Sequence, residues 1–599
     1  MPVRSPPQRA FVHSPTYSTE DEYNTARAAL IQAEKASAFD ALVIATASEV
    51  EKKANEIVRG IRNYDWDETY GKPPSSKRVE EDTGNILVEN TAGDHFLSNV
   101  NLINKTELFK VARKMPKGAH LHVHFNSCLP PKFLIKEARK IPDTMWICSS
   151  RPLTSDAEFH NCRIQFNVFN AEGVAAANKK LDMDQKVPQQ PDASIFSPKY
   201  LPMRWMKYED FISQFDWTDD RHENRRYHGI DGVEDWLEKK MVFSDEEAHD
   251  VSQTSRGIWE RFNFRTQMMK GLFAYETAYR NYTRACIKDF VDDNIQYAEV
   301  RPNFMTTNQL KTDDGGSMLN NEDIMRILDD GVRATLAEIE EEGRYFADMK
   351  VIYCTPRSFN NAATAKSLNE CIELKKKFSH LICGFDIMGH EEMGHELKKF
   401  IPEFLDFRKK CNEQNLEIPF LFHCGETLQV GDRVDGNLFD AVLLNSKRIG
   451  HGYAIARHPL LMEMFKAKNI AIESCPISNE ILGLTPVMAG HHLPILLANN
   501  VPCTINSDNA TFYKSSLSHD FYQVMIGSED MSLLGWKQLA QWSLEHSCMD
   551  EAQKREVTAV WQQKWDEFCQ WIVDTYSDKL GYEHQLDLSR ADWIPPAAN

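Results

Sequence analysis

The chain has 599 residues, enough for several average domains or for one large barrel with additions, and its 42% hydrophobic and 26% charged residues are ordinary for a globular enzyme. A net charge of −19 repels phosphate backbones and argues against nucleic acid as a partner. No uninterrupted apolar run reaches the ~20 residues that span a bilayer, so no membrane partner is expected.

Residues 1–18 are rich in Pro and Ser and are read as disordered. They lack an apolar h-region, so no secretory signal is visible and a cytoplasmic location is expected. The 13 Cys are odd in number and follow no framework, which fits reduced thiols, with Cys148 and Cys162 as the pair to consider if the compartment were oxidising. Residues 19–95 form an expected N-terminal helical extension. Its cap is Ser18-Thr19-Glu20, and Ala29, Leu30, Ala33, Ala36, Phe39 and Leu42 follow at helical spacing to about Arg62. A Gly/Pro/Ser stretch over 71–77 ends it, and one helix is expected over 96–115. The extension carries no chemistry and reads as a packing or self-association element.

The remainder, 96–599, alternates between strand-like and helix-like segments. Strands are expected around His120 and over 296–300, 350–354, 382–387, 418–423, 448–451, 470–474 and 502–506, with one long helix over 262–293 before the second. Eight such units favour an α/β fold, a (β/α)8 TIM barrel, over an open sheet. Periodicity is lost over 146–253, which reads as an insertion after strand 1 on the catalytic face, partly helical around 233–240. The tail, 516–576, is helical, and its Trp561/Trp565/Phe568/Trp571 stripe reads as packing against the barrel.

Several expected strands end in His or Asp. His122 and His124 stand at i and i+2, so both imidazoles leave the same face of the strand, which is half of a zinc site. His120 shares that parity but lies deeper. His423 ends strand 5 and Asp508 follows strand 8. Barrel enzymes collect their chemistry at this C-terminal rim, so the four together read as a divalent-metal site. Glu426, three residues past His423, is placed to move a proton at the metal's open position. His451, between Gly450 and Gly452, reads as an electrostatic group or a base. Gly389, in Gly384-Phe385-Asp386-Ile387-Met388-Gly389, would let backbone approach a flat ligand.

The combination His122-Val123-His124, His423-Cys424-Gly425-Glu426, Gly450-His451-Gly452 and Ser507-Asp508 resembles the adenosine deaminase branch of the metal-dependent amidohydrolases. Met115-Pro116-Lys117-Gly118, Trp259-Glu260-Arg261-Phe262 and Cys475-Pro476-Ile477-Ser478-Asn479 are similar to the adenosine deaminase-related growth factors. The resemblance covers about residue 96 to the C-terminus. It implies one Zn2+ held by His122, His124, His423 and Asp508. It also implies that Glu426 protonates purine N1 and that His451 orients the attacking hydroxide. Gly389, Asn509 and Trp259 would contact the nucleoside, and the activity implied is hydrolysis of adenosine or 2'-deoxyadenosine to inosine and ammonia. A homodimer through the N-terminal helices is likewise implied.

Two departures qualify the substrate. The family's second acid after strand 8 is Asn509 here, and an acid near the ribose is replaced by Asn126. An Asn amide donates to purine N7 with no titration, so an altered pH dependence or base preference is expected. Two alternatives stand beside the adenosine reading. One is a deaminase of another adenine derivative such as AMP, which would need basic residues at the pocket mouth, with Arg204, Lys207 and Arg225 as candidates. The other is a secreted growth-factor-like binding protein with incidental catalysis, since relatives are often extracellular.

Overall fold

The computed structural model describes residues 17–70, 92–185, 191–221, 224–250, 252–305 and 309–577. The N-terminal stretch before residue 17 and the expected break over 71–77 lie outside them.

Eight short parallel strands form the centre: β1 (Ala119–His124), β2 (Tyr297–Arg301), β3 (Met349–Pro356), β4 (Ile382–Met388), β5 (His423–Cys424), β6 (Arg448–His451), β7 (Ala471–Ser474) and β8 (Cys503–Ile505). They pair as two four-stranded runs, β1 to β4 and β5 to β8. Single parallel bridges join the runs at both seams, Phe385 to Phe420 and Val123 to Asp508. At the second seam His124 N–H donates to Asp508 O (2.9 Å) and Asp508 N–H donates to His122 O (3.1 Å). The ring therefore closes, and the closing bonds tie three of the candidate ligand residues to one another. Helices cover the outside, so both faces of each strand are buried, and runs such as Val351 to Cys354 read as continuously apolar for that reason.

Four expectations need correction. The fifth strand is regular only at His423–Cys424, not over 418–423, because Pro419 has no N–H to give a ladder and Phe420 makes one isolated bridge. The long helix over 262–293 is two, Ser255–Phe273 and Glu276–Asp292. It breaks where Tyr275 bridges Lys311, whose N–H donates to Ala274 O (3.0 Å). Both halves have helical periodicity, so only this distant pairing reveals the break. The single helix expected over 96–115 is likewise two, Phe96–Ile103 and Glu107–Lys114, separated by a Thr106 cap that accepts from Phe109 N–H. The described residues from 17 to 64 hold three helices, α1 (Glu20–Ala36), α2 (Ala41–Thr46) and α3 (Glu49–Tyr64), rather than one continuous pattern.

The described residues within 146–253 hold regular elements. Strands Met145–Ser149, Ile164–Val168 and Met206–Lys207 form an antiparallel sheet, Asp216–Asp219 pairs with Arg225–His228, and Gly229–Met241 is helical. Phe159 stacks on Trp217 (5.1 Å) and Trp217 on Tyr227 (5.1 Å), giving the segment its own aromatic core. Cys148 and Cys162 are both buried, unbridged thiols, as are most of the 13 cysteines. Trp561 and Trp565 are fully buried on the C-terminal helix Glu551–Tyr576; Trp561 Nε1–H donates to Pro116 O (2.9 Å) beneath β1, and Trp565 Nε1–H to Glu51 of α3 (2.9 Å). The stripe is thus wedged between the barrel and the N-terminal helices, not against the barrel alone. Among the described residues no helix is long and apolar enough to cross a membrane.

Candidate metal centre and active site

His122, His124, His423 and Asp508 converge at the C-terminal rim, with one potential ligand atom from each lying within 4.8 Å of the others. Asp508 Oδ1 is 3.2 Å from His124 Nε2 and 3.5 Å from His122 Nε2, and the Nε2 atoms of His124 and His423 are 3.3 Å apart. His122 Nε2 and Asp508 Oδ1 are buried and have no hydrogen-bond partner. Two orphaned buried polar atoms aimed at one point are costly unless something is bound between them. Three imidazole nitrogens and one carboxylate are the donor set of a catalytic divalent cation, so the residues fit such an ion.

The shell behind these ligands orients them. His122 Nδ1 lies 2.7 Å from Glu473 Oε2, and His423 Nδ1 lies 2.6 Å from Asp386 Oδ2. Each carboxylate accepts a hydrogen bond from Nδ1–H, which leaves an Nε2 lone pair facing the centre. Arg301 joins the two acids, donating from Nε to Asp386 Oδ2 (3.0 Å) and from Nη2 to Glu473 Oε2 (2.7 Å), and Arg448 Nε donates to Glu473 Oε1 (2.6 Å). All are fully buried. His423 and the guanidiniums hold Asp386 and Glu473 well below the usual carboxylate range against the opposing pull of burial. Burial pushes the His423 ring down to about 4, so it is neutral and ligand-ready at neutral pH. Asp508 takes a left-handed backbone (φ +56°), and its Oδ2 accepts from Ser478 Oγ (2.7 Å).

Glu426 sits beside this centre on a loop held by Glu391. Gly425 N–H donates to Glu391 Oε1 (3.0 Å) and Glu426 N–H to Oε2 (2.6 Å), while Asn437 Nδ2 donates to Oε1 (2.6 Å). Gly425 has φ +71°, a conformation that costs glycine nothing. Burial, and then the charges of Asp508 and Glu391, push the Glu426 carboxyl well above its ordinary value, a shift that a cation among the four ligands opposes. His451 Nε2 is 3.7 Å from Glu426 Oε1.

These groups open on a cavity of about 310 Å³ whose walls include His124, Asn126, Trp259, Gly389, Glu426, His451, Asp508 and Asn509. Gly389 (φ +110°) faces open space, as the expected close backbone approach requires. Trp259 stacks on His390 (4.7 Å). Asn509 Oδ1 accepts from Ser127 Oγ (2.7 Å), which leaves Nδ2 free to donate into the cavity. His120 turns away, its Nε2 accepting from Ser507 N–H (3.1 Å).

Every candidate site residue but His122 therefore borders one cavity, and His122 lies just behind its wall against Asp508. Arg204, Lys207 and Arg225 do not border it: they pair with Asp182, Asp143 and Asp235. Among the described residues, the one Lys or Arg in its wall is Lys270, on a helix face with Asn263, Thr266 and Gln267 that sequence reasoning missed. Glu473 was also missed, although a lone acid inside the apolar run Ile470-Ala471-Ile472-Glu473-Ser474 is a signal of a buried, paired carboxylate.

A closed parallel barrel carrying a three-histidine, one-aspartate centre at its C-terminal rim defines a metal-dependent hydrolase of the amidohydrolase type. The adenosine deaminase family profile matches residues 241–562, and the chain belongs to that family. It is 28% identical over 477 residues to adenosine deaminase 2 of Homo sapiens, covering 79% of this chain and 82% of that protein. It is 30% identical over 482 residues to an adenosine deaminase of Phlebotomus duboscqi, covering 79% of this chain and 81% of that one. Among solved structures, the N6-methyl-AMP deaminase of Arabidopsis thaliana is 13% identical with a TM-score of 0.48, covering 76% of this chain and 98% of that one.

Proposed function

We propose that this chain is a zinc-dependent hydrolase that deaminates adenosine or 2'-deoxyadenosine to inosine and ammonia. The observation that carries the reading is the pair of orphaned atoms, His122 Nε2 and Asp508 Oδ1, converging with His124 and His423 beside the buried Glu426. Zinc held there would supply a hydroxide nucleophile at neutral pH. The chain's own groups do the rest. Gly389 backbone and Asn509 Nδ2 orient the purine, Trp259 covers the sugar side, and Glu426 gives its proton to ring N1, which makes C6 electrophilic. His451, whose Nε2 is 3.7 Å from Glu426 Oε1, would face the attacking oxygen.

The expected result is loss of the adenosine ultraviolet absorbance on adding enzyme. Chelator should abolish it and added Zn2+ restore it. Glu426→Gln should lower kcat by at least about 10²-fold while retaining the metal, because it keeps the shape and loses the transferable proton. A Glu426→Gln enzyme as fast as the native one would sink the assignment.

A second reading has one observation behind it. Among the described residues, Lys270 is the single Lys or Arg in the cavity wall, and a nucleoside 5'-phosphate such as AMP would meet it. Parallel kcat/KM values for adenosine and AMP separate the two. We also propose that residues 19–95 mediate a homodimer: α1 buries no residue, and Tyr23, Leu30, Leu42 and Ile44 are exposed on α1 and α2. A monomeric full-length chain in sedimentation would refute it.

A further inference from the structure

His451 has two candidate roles, base or hydrogen-bond donor, and they need opposite tautomers. A run of buried hydrogen bonds behind the ring chooses between them. It starts at a group whose direction is not in question: the backbone N–H of Leu493 lies 3.1 Å from His491 Nδ1. A backbone amide only donates, so His491 Nδ1 is an acceptor. Burial pushes that ring down to about 3, so it is neutral and its one proton is on Nε2. His491 Nε2–H then donates to Asn479 Oδ1 at 2.9 Å, which fixes the oxygen end of the Asn479 amide. The other end, Nδ2, lies 3.1 Å from His451 Nδ1 and only donates. His451 Nδ1 is therefore an acceptor as well.

We infer that the Leu493–His491–Asn479 relay locks neutral His451 as the Nε2–H tautomer, so that it donates a hydrogen bond into the cavity and cannot act as a base there. Nε2 is the atom 3.7 Å from Glu426 Oε1. The tautomer follows from the hydrogen bonds alone. Its catalytic consequence rests on the deaminase reading: His451 stabilises charge developing on the attacking oxygen, and Glu426, once it has given its own proton to ring N1, is the group that accepts that oxygen's proton. Asn479 and His491 are positioning residues, acting through His451. The left-handed backbone of His451 (φ +60°) and the complete burial of Asn479 leave the ring little freedom to turn out of this alignment.

Two measurements on the full-length, metal-loaded chain test the inference. In 15N spectra of histidine-labelled protein, with the His451 signals assigned by their loss in His451→Asn, Nε2 should show the protonated shift and Nδ1 the lone-pair shift. The reverse pattern would overturn the relay whether or not the chain deaminates adenosine. In Asn479→Asp the acceptor oxygens face both rings, which draws the proton to His451 Nδ1. The expected outcome is a kcat lowered about 10²- to 10⁴-fold, with KM and metal content held within about two-fold; a wrong histidine tautomer in a catalytic triad costs ~10⁴-fold. His491→Gln, whose amide N–H can still donate to Asn479, should retain at least about ten-fold more activity than His491→Phe. An Asn479→Asp enzyme with native kcat and pH profile would refute the catalytic half.

Discussion

At the scale of single residues, Asn509 illustrates how one neutral side chain decides a pH profile. Ser127 Oγ donates to its Oδ1, which leaves the amide nitrogen of this cavity-lining residue able to give a hydrogen bond at any pH. A carboxylate at the same position accepts from Ser127 and has no hydrogen to offer a purine acceptor unless it is protonated. Asn509→Asp should therefore keep activity at acid pH and lose it as pH rises through the new acid's pKa. The native profile should carry no such fall. At neutral pH the expected loss in kcat/KM is about 10-fold or more, the scale of leaving a polar substrate atom unpaired. An Asn509→Asp enzyme with an unaltered profile would show that Asn509 does not touch the purine. The same logic of fixed donors and acceptors runs through the metal ligands. Glu473 and Asp386 select the ligating nitrogen of His122 and His423, and two arginines keep both acids charged at full burial.

At the scale of elements, α3 is attached to the barrel by a small number of strong contacts. Glu51 is buried and takes Lys537 Nζ and Trp565 Nε1–H, while Arg62 Nη1 donates to Glu529 O (2.8 Å). Breaking a buried ion pair by removing one partner costs about 3–5 kcal/mol, because a charge is left uncompensated. Lys537→Met is expected to destabilise the chain by about 3 kcal/mol in denaturant titration, with Glu51→Gln/Lys537→Met together recovering part of that loss. No change in the midpoint for the single variant would mean that α3 is not part of the cooperative unit. The barrel's strand order and rim were legible because strand period and ligand parity are local: His122 and His124 two apart, His423 and Asp508 at strand ends. The helix break at Ala274–Tyr275 was not legible, since its cause is a pairing with Lys311, and neither was the antiparallel sheet inside 146–253, whose strands are two to five residues long. The role of Glu391, two residues past Gly389, was not legible because its partners, the N–H groups of Gly425 and Glu426, are 34 and 35 residues away. The relay behind His451 spans 451, 479, 491 and 493 and leaves no spacing for a linear reading to detect.

At the scale of the whole molecule, buried acids set how stability depends on pH, and they pull in two directions. Asp386 and Glu473 have depressed folded-state pKa values, so the stability they contribute is present above the unfolded value near 4 and is lost as pH falls through their folded values. Asp289 and Asp65 are the opposite case. Burial lifts Asp289 to about 7, with Asp293 and Asp292 adding repulsion, and lifts Asp65 to about 6. For these two the folded state binds the proton more tightly than the unfolded state. Between roughly pH 4 and pH 7 the unfolded chain has released a proton that each of these acids retains in the native chain, so their contribution to stability declines as pH rises through that window. Buried histidines pushed down to about 3, His120, His491, His519 and His546, act the other way across the same window, so the share due to Asp289 is read by comparing a variant with the native chain. Asp289→Asn removes the larger shift without changing shape. It is expected to stabilise the chain by about 4 kcal/mol near pH 8 and by only about 1.5 kcal/mol near pH 5, read as unfolding midpoints at both pH values. Equal midpoint shifts at the two pH values would mean that the gain comes from packing rather than from the ionisation of Asp289.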